Sequence, residues 1–201
     1  PEVCVITSIG LDHTAHLGRT IDKITGEKAG IIKKNSICVI GAHQSSLNVI
    51  RKACRKAGAK LRLAEWPRKA IFTDCGLKGD FQKENISLAV CAVRALVERG
   101  CPIDEQSMLD GLRTVKWPCR FEWREIFCGG HPIPLLLDGA HNSHAVSALT
   151  QSLRRLPISD EKALLIFNAL TDKDVGRMLK ILLSGLKISH IFVPILDTER
   201  S

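Results

Sequence analysis

The chain has 201 residues, 45% of them apolar, and a formal net charge of +8 at pH 7, with aromatics at only 4% and no Tyr. This is enough apolar material for one large core or two smaller ones, and those cores must be aliphatic. No run approaches the roughly 20 apolar residues of a membrane span, and the start, Pro1-Glu2-Val3-Cys4, lacks the charged region of a signal peptide, so a soluble, non-secreted protein is expected.

The first strand is Val3 to Ile9, rich in β-branched residues and closed by Gly10. A helix is expected from Thr20 to Lys33, a strand at Ile37 to Ile40, a helix from Ser46 to Ala57 and a strand at Lys60 to Ala64. Asn85 to Arg99 is amphipathic, with Ile86, Ala89, Val90, Val93, Leu96 and Val97 at helical spacing. Gly100-Cys101-Pro102 ends it, and Asp104 can cap a further helix through Leu112. Trp117-Pro118 cannot continue a helix, because a residue before proline is driven from the α region. Beyond it come a strand or hairpin (Phe121 to Phe127, Ile133 to Leu137), the turn Asp138-Gly139-Ala140-His141-Asn142 and a helix from Ser143 to Leu156. A strand at Ala163 to Phe167, a helix from Asp174 to Ser184 and a strand at Ile188 to Ile195 complete the order. Alternation of this kind gives an α/β protein with parallel sheets and right-handed crossovers. The expected division is residues 1–117, a linker at 118–121 and residues 122–201, with both ends reading as cut through a larger fold.

Eight cysteines include no C-x-x-C pair, and Cys4, Cys38, Cys54 and Cys91 sit inside apolar stretches. They read as buried free thiols in a reducing compartment rather than disulfides or zinc ligands. The cations Arg51, Lys52, Arg55, Lys56, Lys60 and Arg62 form a basic cluster, whose simplest reading is the solvated face of a helix. The competing reading, a nucleic-acid-binding module, lacks interleaved aromatics for base stacking.

In open α/β sheets, ligands bind beyond the carboxyl ends of the strands. Two strand ends carry polar clusters there: Gly10-Leu11-Asp12-His13-Thr14 and Asp138-Gly139-Ala140-His141-Asn142. Each offers a carboxylate and an imidazole for a magnesium nucleotide; alternatively, Asp12 and Asn142 are helix caps and the histidines are loop residues. His13 and His16 have H-x-x-H spacing but no third ligand suitably placed, so zinc is not expected, whereas one His on a loosely held Mg²⁺ fits. Ile21, Ile24, Lys28 and Ile31 fall on one helical face, placing Lys28 on an apolar stripe. Gly26 and Gly30 would let another backbone approach it. The alternative is a lysine whose stem packs while its amine reaches water.

Ile6-Thr7-Ser8-Ile9-Gly10-Leu11-Asp12-His13-Thr14, Leu17-Gly18 and Glu27-Lys28-Ala29-Gly30-Ile31 resemble the middle signature of the folylpolyglutamate and dihydrofolate synthases, within the Mur ligase superfamily. Asp138-Gly139-Ala140-His141-Asn142 resembles the family's second signature, and Asp172-Lys173-Asp174 a weaker third, in the same order. The resemblance implies part of a P-loop-type ATPase domain followed by a truncated Rossmann-like domain, with the active site between them. It implies ATP-dependent ligation of L-glutamate to the γ-carboxyl of a folate through an acyl phosphate, with ATP and Mg²⁺ required. His13 would be a magnesium ligand, and Lys28 a carbamylated lysine near the second metal. Asn85, Arg120 and Asp138 would contact ATP, with His141 near the phosphates or the incoming glutamate. The implied partners are small molecules (reduced folate or dihydropteroate, L-glutamate, ATP) rather than nucleic acid or membrane, in a cytoplasmic, or alternatively mitochondrial, monomer. Dihydrofolate synthase or a bifunctional enzyme is the near alternative, and a cell-wall Mur ligase a more distant one. The chain departs from the family at two points: no G-x-x-x-x-G-K-[ST] phosphate loop occurs, and the usual Pro-Gly-Arg reads Pro118-Cys119-Arg120. The chain by itself is therefore expected to turn over no ATP.

Overall fold

Three short aliphatic runs, β1 (Val3–Ile6), β2 (Ile37–Gly41) and β3 (Lys60–Ala64), pair as a parallel sheet in the order β1-β2-β3. The computed structural model describes residues 1–10, 18, 20–41, 46–66, 69–157 and 162–195. The chain forms two compact units, Pro1–Leu77 with Gln82–Lys116, and Lys78–Phe81 with Trp117–Ser201.

In the first unit the helices are α1 (Ile21–Ala29), α2 (Leu47–Ala57), α3 (Lys69–Asp74), α4 (Gln82–Glu98) and α5 (Glu105–Thr114). All five residues of β2 are buried, which is why it reads as an unbroken apolar run: a strand covered on both faces has no polar side. On one face Cys4, Ile6, Cys38 and Ile40 pack against Ile24 and Ala29 of α1 and Ile50 and Cys54 of α2. On the other, Ile37, Val39 and Ala64 pack against Leu88 and Ala95 of α4. Each fully buried Ile or Val in this sandwich contributes about 1.5–3 kcal/mol.

The first helix is shorter than its periodicity suggests. It stops at Ala29, where the Gly30 N–H donates to the Glu27 and Lys28 carbonyls. The chain must then turn into β2, and Asn35 makes that turn at φ +58°, a left-handed conformation that asparagine tolerates better than most residues.

The second unit begins with the antiparallel hairpin β4 (Glu122–Cys128) and β5 (His131–Leu137). Gly129 and Gly130 join the strands with φ of +58° and +82°, the two positive values a two-residue hairpin turn of this hand requires. There follow α6 (Ser143–Leu153), β6 (Ala163–Ile166), α7 (Val175–Gly185) and β7 (Ile188–Phe192), with β6 and β7 parallel. Val146, Phe167, Met178 and Leu182 form the core between these helices and strands. The segment Lys78–Phe81 belongs to this unit: Phe81 lies edge-on to Phe121 at 6.0 Å, and Asp80 pairs with Arg155 at 2.5 Å.

Candidate functional site

The first turns of α4 lie against the carboxyl ends of two strands. A Cβ on Gly41, the last residue of β2, would sit 2.6 Å from Glu84 Oε1. Ser87 Oγ donates to the Glu65 carbonyl, just beyond β3, at 2.6 Å. This is the end of a parallel sheet where ligands bind. Asn85 is half-buried in this turn, and its Nδ2 donates to Gln82 Oε1 at 2.8 Å. At the start of α1, Thr20 Oγ1 accepts from Lys23 N at 3.3 Å, whereas Ser46 makes no side-chain cap bond to α2 and its Oγ donates to Asp22 Oδ1 at 2.8 Å.

Lys28 does not occupy the apolar stripe expected of it. It is exposed, as is Ile31, while the buried face of α1 is Ile24, Thr25 and Ala29. Because the helix ends at Ala29, Ile31 is not part of its periodicity, and the packing face centres one side away from Lys28. The expected close backbone approach is also missing: a Cβ on Gly26 meets no described residue within 4 Å, and one on Gly30 meets only Glu27 O of the preceding turn, at 3.1 Å. Asp12, His13, Thr14 and His16 lie outside the described residues. Among the described residues no group of three or more His, Cys, Asp or Glu is placed to hold a metal ion.

The second unit gathers its predicted residues around the junction loop. Arg120 is exposed, and no described residue pairs with its guanidinium. It stands between two non-glycine residues in left-handed backbone, Cys119 at φ +56° and Phe121 at φ +52°. Such conformations cost on the order of 1–3 kcal/mol and persist only where the surroundings over-determine them. Here they do. Asp138 Oδ2 accepts from Phe121 N at 2.8 Å, the Cys119 carbonyl accepts from Gly139 N at 2.8 Å, and Glu122 Oε2 accepts from Cys119 N at 2.8 Å. The buried Phe121 ring lies edge-on to Phe81 and Trp123. The bond from Cys119 N, with help from the Arg124 guanidinium, holds the Glu122 carboxyl below its ordinary range.

Asp138 thus spends one oxygen on the junction and the other, Oδ1, on Ala140 N at 2.9 Å. His141 Nδ1–H donates to the Gly139 carbonyl at 2.9 Å. Asn142 accepts from Ala145 N at 2.8 Å and caps α6, as the simpler of its two readings had it. Asp174 likewise caps α7, accepting from Arg177 N at 3.0 Å. Neither Gln82 nor Glu122 was singled out in the sequence; the side-chain amide three residues before Asn85 was the only available signal for the first.

The remaining features have simpler explanations. Arg51, Lys52, Arg55 and Lys56 are the solvated face of α2, and Arg62 pairs with Glu98 at 2.6 Å. All eight cysteines are unbonded, and burial beside Cys4 and Cys54 pushes the Cys38 thiol well above its ordinary range. A groove of about 560 Å³ lies between β3 and α4, lined by Arg62, Glu65, Trp66, Ser87, Cys91 and Arg94, with neither Gln82 nor Asn85 in its lining. Among the described residues no helix is long and apolar enough to cross a membrane.

The first unit sets the start of a helix against the carboxyl ends of a parallel sheet, and the second displays an arginine with no partner among the described residues. No protein-family model matches the chain. It is 33% identical over 199 residues to a probable folylpolyglutamate synthase of Schizosaccharomyces pombe, covering 94% of this chain and 39% of that protein. It is 32% identical over 203 residues to the dihydrofolate synthase/folylpolyglutamate synthase of Bacillus subtilis, covering 90% of this chain and 46% of that protein. Among solved structures, the Mycobacterium tuberculosis folylpolyglutamate synthase complexed with ADP superposes with a TM-score of 0.81 at 26% identity, over 99% of this chain and 48% of that one. The chain is a homologue of the folylpolyglutamate synthase and dihydrofolate synthase family and shares its fold. It spans about half the length, or less, of the relatives it matches.

Proposed function

We propose that the protein ligates L-glutamate to the γ-carboxyl of a reduced folate at the expense of ATP. The observation that carries this reading is Arg120, a cation without a partner among the described residues, held on a strained turn by the first residue of the Asp-Gly-Ala-His-Asn motif. A guanidinium so fixed suits phosphate oxygens, which it can meet with two parallel hydrogen bonds. The mycobacterial relative was solved in complex with ADP, which supports a nucleotide as a ligand.

In this reading the carboxylate of the folate takes the γ-phosphoryl group, ADP leaves, and the glutamate amine displaces phosphate from the acyl phosphate. Such chemistry depends mainly on positioning and charge neutralisation. Asn85 and Arg120 bind the nucleotide. Asp138 keeps Arg120 in place and reaches the nucleotide with its remaining lone pairs. His141 assists at the phosphates or the glutamate amine. His13 would hold Mg²⁺, which would neutralise phosphate charge. Lys28 acts as a carbamate, formed when its neutral amine attacks CO₂ and releases a proton. A cytoplasmic or mitochondrial setting fits this chemistry.

Dihydropteroate is the alternative acceptor, and the Bacillus subtilis relative, named for both activities, keeps it in view. Incorporation of labelled glutamate by the full-length protein, with tetrahydrofolate or dihydropteroate as acceptor, decides between them. ATP-dependent incorporation into tetrahydrofolate is expected; incorporation into neither acceptor would overturn the proposal.

A further inference from the structure

Among the described residues only one buried side-chain nitrogen or oxygen lacks a hydrogen-bond partner, Gln82 Nε2. The residue is 1% exposed. A buried donor left unpaired costs free energy comparable to a lost hydrogen bond, and a methionine would fill similar space without that cost. The amide must therefore be retained for its other end. Gln82 Oε1 accepts from Asn85 Nδ2 at 2.8 Å, one turn further along α4. An asparagine amide is nearly symmetric in shape, so only its partner decides which end is oxygen and which nitrogen. With Nδ2 held by Gln82, Asn85 Oδ1 is turned away from it, and no hydrogen bond among the described residues engages that oxygen. All this occurs in the turn lying against the carboxyl ends of β2 and β3.

We propose that Gln82 is a positioning residue: it fixes the side-chain amide of Asn85 so that Oδ1 is presented as an acceptor to a hydrogen-bond donor of the nucleotide. This rests on the placement of ATP at Asn85 in the proposed function. The cost of the orphaned Nε2 is the kind of local conflict that proteins keep at functional sites. A purely structural glutamine would instead be expected to satisfy its own donor.

The test compares Gln82→Met, Asn85→Ala and the double variant in the full-length protein, by ATP KM, kcat and melting temperature. Asn85→Ala should raise the ATP KM about tenfold, the effect of one lost hydrogen bond. Gln82→Met should raise it by a similar factor with kcat nearly unchanged, and should melt no lower than the parent because the orphaned donor is gone. The double variant should be no worse than Asn85→Ala, since Gln82 acts only through Asn85. Additive effects, or an unchanged KM in Gln82→Met beside a raised one in Asn85→Ala, would overturn the role of Gln82 and leave the proposed function standing. An unchanged KM in Asn85→Ala would instead remove the nucleotide from Asn85, and this inference with it. If Gln82→Met does not fold, Asn85→Asp carries the test. It cannot donate to Oε1, so the Gln82 amide must turn to donate Nε2 and leaves Oε1 unpaired in its place; the variant should melt close to the parent and use ATP less well, and an unchanged KM would overturn the proposal.

Discussion

The two groups of predicted site residues are built in opposite ways. In the first unit, Asn85 is placed by regular architecture: a parallel sheet, a buried central strand and a helix whose first turn meets the strand ends. In the second, Arg120 is placed by irregular backbone, two left-handed non-glycine residues held by Asp138, Glu122 and the Gly139 N–H. Regular architecture spreads the work of positioning over a whole core, so single changes near Asn85 should alter contacts and little else. The strained junction concentrates it in a few bonds, so changes there should move binding and stability together.

The largest expected effect lies in the first unit and tests the residue that fits the architecture least well. If Lys28 works as a carbamate, Lys28→Arg should lower kcat on the order of 10²-fold or more, as removal of a preorganised charge typically does, because arginine keeps its charge and cannot form the carbamate. Lys28→Ala should be partly rescued by acetate, which can occupy the vacated oxygen sites. The exposed position of Lys28 offers a competing outcome, near-normal activity of Lys28→Arg, and that result would remove the carbamate from the account.

Next come the contacts of the second unit. Arg120→Ala should raise the ATP KM at least tenfold, since a charge-assisted contact is worth about 1.5–3 kcal/mol, against at most about 1 kcal/mol for an ordinary surface ion pair. The fold should survive, because no described residue bonds to that guanidinium. Asp138→Ala should differ in kind: it should weaken ATP use and also lower the unfolding free energy by about 1–3 kcal/mol, by unpairing the Phe121 and Ala140 N–H groups. Chemical denaturation beside steady-state kinetics separates the two. Equal stability loss in both variants, or an unchanged KM in both, would break the contrast between display and anchoring.

The contrast also explains what could be read in advance. The α/β order, the buried run Ile37 to Ile40 and the caps Asp104 and Asn142 follow from local periodicity and capping chemistry, which a single sequence carries. The stripe through Lys28 misled because periodicity is blind to where a helix stops: Ile21 and Ile24 pack inward as expected, but Lys28 is exposed and Ile31 lies beyond the end. The membership of Lys78–Phe81 in the second unit rests on the contact of Phe81 with Phe121, forty residues away, which no local pattern encodes. Cys119 was visible as a departure from Pro-Gly-Arg, but only its φ of +56° shows why a glycine suits that place.

A smaller effect follows. Cys119→Gly should stabilise the fold by about 1 kcal/mol, by relieving a left-handed conformation that costs an L-residue roughly that much. Its ATP KM should stay near that of the parent if Asp138, Glu122 and Phe121 suffice to hold the loop. Thermal unfolding measures the first and kinetics the second; a lower melting temperature would mean that the thiol, not the backbone, decides the position.

The central claim, that a substrate carboxylate is activated by ATP before glutamate is joined, has a direct chemical signature. A folate labelled with ¹⁸O in its γ-carboxyl, turned over by the full-length protein with ATP and glutamate, should pass one ¹⁸O into each inorganic phosphate released, because the carboxylate oxygen that attacks phosphorus leaves with it. Phosphate free of ¹⁸O, alongside normal glutamate ligation, would contradict the account.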